Sequence, residues 1–254
     1  MSQYKAFCFD LDGTVYRGKE PISSAIKFIQ QLEERHLDYF IVTNNASKTP
    51  AQLKETLSQM GLKVREEQIY TSALVAAKYV KQQFGQAKIF MIGQDGLRHA
   101  LQSQQIELTE ENPDVVVMGI DQQINYEKLS KACVAVQRGA TLIGTNGDVK
   151  IPSENGFHQG NGSFVNLVAN VCGVKPIFLG KPRPIMLEMI AADFQLKKEE
   201  IIMIGDNYDT DIMCGIQYGC DTIHVNTGVI NTELVKEKEI QPTYLVNDLS
   251  EFEL

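Results

Sequence analysis

The sequence lacks most of what would tie a protein to a membrane, to nucleic acid or to an oxidising compartment. It holds no basic run longer than the pair Lys197-Lys198, and 24 Lys+Arg against 32 Asp+Glu leave a net charge of −8. Nothing in it would neutralise a row of phosphates, so nucleic acid and anionic lipid are excluded as main partners. Its longest apolar runs, such as Val115 to Met118, fall far short of the about 20 residues that span a bilayer. The stretch from Met1 to Asp10 has neither the basic start nor the apolar centre of a secretion signal. Together these absences predict a soluble, cytoplasmic protein with no membrane partner. The five cysteines, Cys8, Cys133, Cys172, Cys214 and Cys220, are odd in number and form no Cys-x-x-Cys, which excludes a disulfide framework and a structural zinc site. They read as small core residues. The histidines, His36, His99, His158 and His224, show no metal-ligand spacing and read as structural or surface residues. No Pro/Ser-rich linker, repeat or low-complexity stretch marks a domain boundary.

What is present is an ordinary globular composition, 43% hydrophobic and 22% charged over 254 residues. That length admits one long α/β unit or a core with an inserted module. Short apolar runs of β type alternate with amphipathic segments: Ala6 to Phe9, a helix over about Ser23 to Glu34, Tyr39 to Val42, and a helix over about Pro50 to Met60. The same rhythm returns at Lys88 to Ile92, Val115 to Met118, Thr141 to Ile143, Ile177 to Leu179, Ile201 to Ile204 and Thr222 to Val225. This alternation predicts an α/β protein, a doubly wound parallel sheet with helices on both faces. There are more strands than one small sheet holds, so a second sheet is expected.

Polar residues gather where four of these strands stop. Asp10-Leu11-Asp12-Gly13-Thr14 follows the first strand, Thr43-Asn44-Asn45 the second, Gly180-Lys181-Pro182 the run Ile177 to Leu179, and Gly205-Asp206 through Asp211 the run Ile201 to Ile204. In open parallel sheets, ligands bind outside the carboxyl ends of the strands. One such end is a turn or a helix cap, but four of them in one chain make a site. Asp10, Asp12, Asp206 and Asp211 would meet there, and clustered carboxylates resist ionising together unless something positive compensates. Lys181 supplies one charge. An all-oxygen ligand set without imidazole or thiolate points to Mg²⁺ for the rest, and a cation makes an acidic site attractive to a phosphate. Asp209 either caps the helix that opens near Thr210 or supports the metal from behind, the cap being the simpler reading.

These four segments, in this order, resemble the four motifs of the haloacid dehalogenase superfamily, and Asp10 through Tyr16 with Thr43 through Ser47 look like its NagD-type phosphatase branch. The resemblance covers the whole chain. It implies a Rossmann-like catalytic core over residues 1–78 and 175–254, with an inserted α/β cap over 79–174, where no acidic cluster follows a strand. It also implies a phosphatase of small phosphorylated metabolites, sugar or acid-sugar phosphates among them, with Mg²⁺ as cofactor and a phosphate ester as its small-molecule partner. A homo-oligomer is left open.

Carried over residue by residue, the resemblance makes Asp10 the nucleophile that forms an aspartyl phosphate and Asp12 the general acid and base. Thr43, Asn44 and Asn45 become substrate-binding residues, with Lys181 holding the nucleophile and the phosphoryl group. Asp10, the main-chain carbonyl of Asp12, and Asp206 become the metal ligands, with Asp211 supporting them from behind. The polar segment Thr145 to Asp148, with Gly156 to Ser163 after it, is either a surface loop or a cap loop that reads the leaving group. Two other chemistries share the first half of this reaction: a phosphomutase or phosphotransferase, which passes the group to a hydroxyl, and a signalling module that stops at the aspartyl phosphate.

Overall fold

The computed structural model describes residues 4–153 and 155–254, which divide into two compact units. The first comprises residues up to 43, 51–70 and 181–254; the second comprises 44–50 and 71–180. The cap expected over 79–174 lies wholly inside the second unit, whose limits run further at each side.

The first unit is built on a six-stranded sheet in the order Tyr244–Val246, Asp221–Val225, Ile201–Gly205, Ala6–Phe9, Asp38–Thr43, Ile69–Thr71. The central strand pairs in parallel with Ile201–Gly205 on one side and Asp38–Thr43 on the other, in the register Phe9 to Ile204 and Phe9 to Ile41. All four residues of Ala6–Phe9 are buried, which is why the run is continuously apolar rather than alternating. Leaving that strand, the chain builds first towards one edge and later returns to build the other, so a crevice opens where strand order reverses, beside the carboxyl ends of Ala6–Phe9 and Ile201–Gly205. The helix Ser23–Glu34 covers the sheet with Ala25, Phe28, Ile29 and Leu32, spaced for one helical face, and Phe28 meets Phe7 and Phe9 edge to face.

The second unit holds a four-stranded parallel sheet in the order Ile177–Phe178, Thr141–Gly144, Val115–Met118, Ile89–Ile92. Its core joins Phe90, Ile92, Val116, Met118 and Leu142 to Ala132 and Val136 of one helix and Val165 and Val168 of another. A separate antiparallel hairpin pairs Lys150–Ser153 with Gly156–Gln159. Two sheets, as the number of strands requires, therefore carry the fold.

All five cysteines are free; Cys8 and Cys214 are fully buried, and Cys172 and Cys220 are half-buried. Among the described residues, no helix is long and apolar enough to cross a membrane.

Candidate active site

Asp10 is the first residue past the central strand, and its amide still bonds to the carbonyl of Ile204 at 2.9 Å, so the sheet itself aims the side chain. The chain then turns: the amides of Thr14, Val15 and Tyr16 all converge on the carbonyl of Leu11. Gly13 is required in that turn twice over. Its φ of +90° strains any L side chain, and a Cβ there would stand 2.5 Å from the Asp206 carboxylate. Asp12 rides on the same turn and is exposed, whereas Asp10 is 9% exposed.

Asp206 follows the neighbouring strand in the same way and is 1% exposed. Its Oδ1 accepts from the Thr14 hydroxyl at 3.0 Å and its Oδ2 from the Val229 amide at 2.7 Å. Asp211 comes from the single π-helical turn Tyr208–Ile212. Its Oδ2 accepts from the Asn207 amide at 3.1 Å and its Oδ1 from the Thr210 hydroxyl at 3.0 Å. A Cβ at Gly205 would overlap the Asp211 side chain, so only glycine lets the strand end and the turn approach this closely.

Carboxylate oxygens of Asp10, Asp206 and Asp211 lie within 4.8 Å of one another. The buried Lys181 ammonium reaches across them, 2.5 Å from Asp10 Oδ1, 2.8 Å from Asp211 Oδ1 and 2.8 Å from the carbonyl of Val42. One ammonium does not offset three carboxylates. Burial, with the neighbouring charges of Asp211 and Asp206, pushes the Asp10 carboxyl well above the ordinary range despite Lys181. Burial and then Asp211 push Asp206 up to about 6. Burial works to lower the Lys181 pKa, but Asp10 and Asp211 outweigh it and hold the group firmly protonated. The cluster is short of positive charge and offers only oxygen donors, which is what a hard divalent cation requires.

The sequence places Asp10, Asp12, Asp206, Asp211 and Lys181 in one site; the structure brings Asp10, Asp206, Asp211 and Lys181 together within the first unit, while the exposed Asp12 is not among the converging carboxylates. Thr43 ends the strand Asp38–Thr43 in the same unit, 3% exposed. Asn44 and Asn45 belong to the second unit. There the Asn44 side-chain amide donates to Asp148 Oδ2 at 3.0 Å, and the Asn44 main-chain carbonyl accepts from the Asn146 side-chain amide at 2.9 Å and from the Ser72 hydroxyl at 2.7 Å. Asn45 Oδ1 takes the amides of Ser47 and Lys48, at 2.9 and 3.1 Å, and so closes a local turn.

Asp209 does not take the cap expected of it. Asn207 caps the turn, accepting from the Asp209 amide at 3.0 Å, while the exposed Asp209 carboxylate pairs with Lys238 at 3.0 Å. Three further participants are not singled out by the sequence: the Thr14 hydroxyl, the Val229 amide, and the loop after Asp221–Val225 that carries Val229. In that loop Thr227 donates to the Gly13 carbonyl at 2.6 Å, and a Cβ on Gly228 would collide with Asp206. Thr14 lay inside a recognised segment, but a main-chain amide such as that of Val229 carries no residue signature.

Known proteins give the arrangement its context. The haloacid dehalogenase-like hydrolase pattern matches residues 7–107, and a HAD-hydrolase-like pattern matches residues 178–252. An acid sugar phosphatase of Staphylococcus epidermidis is 45% identical over 251 residues, covering 98% of this chain and 97% of that protein. One from Staphylococcus aureus is 45% identical over 252 residues, 99% and 97% of the respective chains. Among solved structures, a double mutant of a thermostable NPPase from Geobacillus stearothermophilus superposes with a TM-score of 0.93 at 42% identity, covering 100% of this chain and 99% of that one. A 4-nitrophenylphosphatase from Thermotoga maritima gives 0.92 at 31% identity, covering 98% and 96%.

Proposed function

The chain belongs to the haloacid dehalogenase-like hydrolases and is a phosphatase of small phosphorylated substrates, and on that premise we propose that it works in two displacements at Asp10. In the first, a carboxylate oxygen of Asp10 attacks phosphorus in line while Asp12 gives its proton to the departing ester oxygen, which leaves as an alcohol. In the second, Asp12 takes a proton from water, the water oxygen attacks the aspartyl phosphate, and Asp10 is regenerated with release of inorganic phosphate. One residue serves as acid and then as base because the first step leaves it in the protonation state the second requires.

The observation that carries this reading is the Lys181 bridge. The ammonium bonds Asp10 at 2.5 Å and is itself fixed by Asp211 and the Val42 carbonyl, so the nucleophile is oriented before substrate arrives. All three of its protons are committed, which leaves it little freedom to turn. Thr43, at the adjacent strand end, is the candidate donor to a phosphoryl oxygen, and Asn44 and Asn45 are proposed to act beside it.

Mg²⁺ is the proposed cofactor. Asp10, Asp206 and the main-chain carbonyl of Asp12 would hold it, with Asp211 acting from behind through Lys181; the all-oxygen donor set and its deficit of positive charge fit such an ion. A bound Mg²⁺ would supply the charge that lets an anionic nucleophile approach an anionic phosphate.

The second unit is proposed as the cap, in which residues 79–174 exclude water and choose among leaving groups. The relatives named acid sugar phosphatases make phosphorylated acid sugars the first substrates to test, in a protein expected to act in the cytoplasm. The experiment is a panel of phosphorylated metabolites assayed with Mg²⁺ and read as kcat/KM. Multiple turnovers of free phosphate are expected; transfer to an acceptor hydroxyl, or arrest at a single phosphorylation, would replace hydrolysis with one of its rivals.

A further inference from the structure

His224 belongs to none of the four strand-end segments, yet it lies against Asp206. It sits on the strand Asp221–Val225, opposite Gly205 in the parallel register, and is completely buried. Its Nε2 is 3.0 Å from the main-chain oxygen of Asp206. A carbonyl only accepts, so Nε2 carries the ring proton and Nδ1 is left with a lone pair. That Nδ1 is buried with no partner at full hydrogen-bond geometry, the Ile230 main chain being the other polar group near the ring.

This is an expensive residue to keep in a core. Its neighbours Ile223 and Val225 are apolar and equally buried, and a leucine at 224 would avoid leaving a ring nitrogen unpaired. What the imidazole alone provides is a donor aimed at the peptide of Asp206. Asp206 is thereby tied at three points: its carbonyl to His224, its Oδ1 to Thr14 at 3.0 Å, and its Oδ2 to Val229 at 2.7 Å, in the loop that continues from the His224 strand.

We propose that His224 is a positioning residue for Asp206, fixing the peptide from which that carboxylate projects so that it keeps its place beside Asp10 and Asp211. The role rests on Asp206 being a metal ligand, as proposed above. Residues that orient metal ligands from behind are typically worth about 10- to 100-fold in affinity.

The test is Mg²⁺ binding to the full chain by titration calorimetry, with the midpoint of unfolding in EDTA measured beside it. His224→Leu should weaken Mg²⁺ binding by about 10- to 100-fold without lowering the metal-free midpoint, because the unpaired nitrogen goes with the ring. His224→Gln, whose amide N–H reaches about as far as Nε2, should restore affinity to within a few-fold of wild type. If His224→Leu does not fold, His224→Asn takes its place, since its shorter amide does not reach the carbonyl. Wild-type affinity in the variant lacking the donor overturns the proposal, as does an equal loss in that variant and in His224→Gln, which would make side-chain shape the cause. Asp206→Ala, run in parallel, separates the two layers. Unchanged Mg²⁺ binding there defeats the metal assignment and the role of His224 with it, whereas lost binding there with none lost in His224→Leu defeats the positioning role alone.

Discussion

Replacing Asp206 by asparagine should stabilise the metal-free protein at neutral pH while destroying its response to Mg²⁺. Burial, followed by the charge of Asp211, raises the Asp206 carboxyl from 3.8 to about 6. Between those values the folded protein holds a proton that the unfolded chain has released. Stability from this group therefore falls as pH rises from about 4 to about 6, and the loss is complete above that window. A rise of about two pK units corresponds to about 3 kcal/mol of unfavourable interaction at neutral pH. Asparagine removes the charge but presents an NH₂ to one of the two donors now facing the carboxylate, the Thr14 hydroxyl or the Val229 amide, at a cost of about 1–2 kcal/mol. The net gain is about 1–2 kcal/mol, and each kcal/mol raises Tm by about 2–4 °C in a chain of this size. Below the window the native carboxyl is protonated, the charge term disappears and the variant has no advantage. Scanning fluorimetry in EDTA across pH 4.5 to 8 reads the sign directly, and a second series with Mg²⁺ should raise the Tm of the native protein by mass action but not that of the variant. A variant less stable than the native chain at pH 7.5 in EDTA, or a Tm difference that does not change with pH, would refute the reasoning.

Four further outcomes follow from the same geometry. Asp10→Asn should fold and bind substrate but show no turnover and trap no phosphorylated enzyme, because an amide does not form the acyl phosphate; activity above background would remove Asp10 as nucleophile. Asp12→Asn should lose about 10²- to 10⁴-fold in steady state. With 4-nitrophenyl phosphate, whose leaving group needs little protonation, a burst of nitrophenolate should survive, and equal losses in burst and steady state would count against Asp12 as the acid. Chelation should inactivate reversibly, Mg²⁺ should restore activity, and Ca²⁺ should bind without supporting turnover because its larger, looser coordination misplaces the nucleophile. Asp148→Ala removes the carboxylate that Asn44 meets at 3.0 Å, and it should reorder kcat/KM among sugar phosphates far more than it lowers activity on 4-nitrophenyl phosphate; a uniform loss would make that contact structural.

The parts of the fold legible in the sequence are those in which one physical demand dominates. Ala6–Phe9, Val115–Met118 and Ile201–Gly205 are buried on both faces, so each reads as an unbroken apolar run ended by a polar or glycine turn. The strands Ile69–Thr71 and Tyr244–Val246, at the two sheet edges, have only three residues each and show no such run. The hairpin over 150–159 escaped because residues 156–159 are all exposed, so no apolar face imposes an alternation on them. At the site, side-chain chemistry was legible and main-chain chemistry was not. Asp10, Lys181 and Asp206 announce themselves by type and position, whereas the Val229 amide that fixes Asp206 would be there with almost any residue at 229. Asn207 and Asp209 illustrate a third limit. Both are good capping residues near one helix start, and what decides between them is backbone: Asn207 is extended, with φ −103° and ψ 110°, and so takes the cap, leaving Asp209 to Lys238.

A net charge of −8 makes a protein a poor host for phosphate esters when charge is counted over the chain rather than at the site. Three carboxylates and one ammonium leave the buried cluster two charges short of neutrality if all four groups ionise. Burial and mutual repulsion raise the Asp10 and Asp206 carboxyls above their ordinary range, so the cluster resists ionising in full. On the proposed mechanism a protonated Asp10 would be no nucleophile, and a fully ionised cluster would repel a phosphate dianion. A divalent cation held by the proposed ligands Asp10, Asp206 and the Asp12 carbonyl would make up that deficit, and Asp10 could then stay ionised with Lys181 holding its carboxylate. The same imbalance that destabilises the cluster would give the site its proposed affinity for a cation. Removing a carboxylate to gain stability should then give up that affinity, because both would come from the one excess of negative charge.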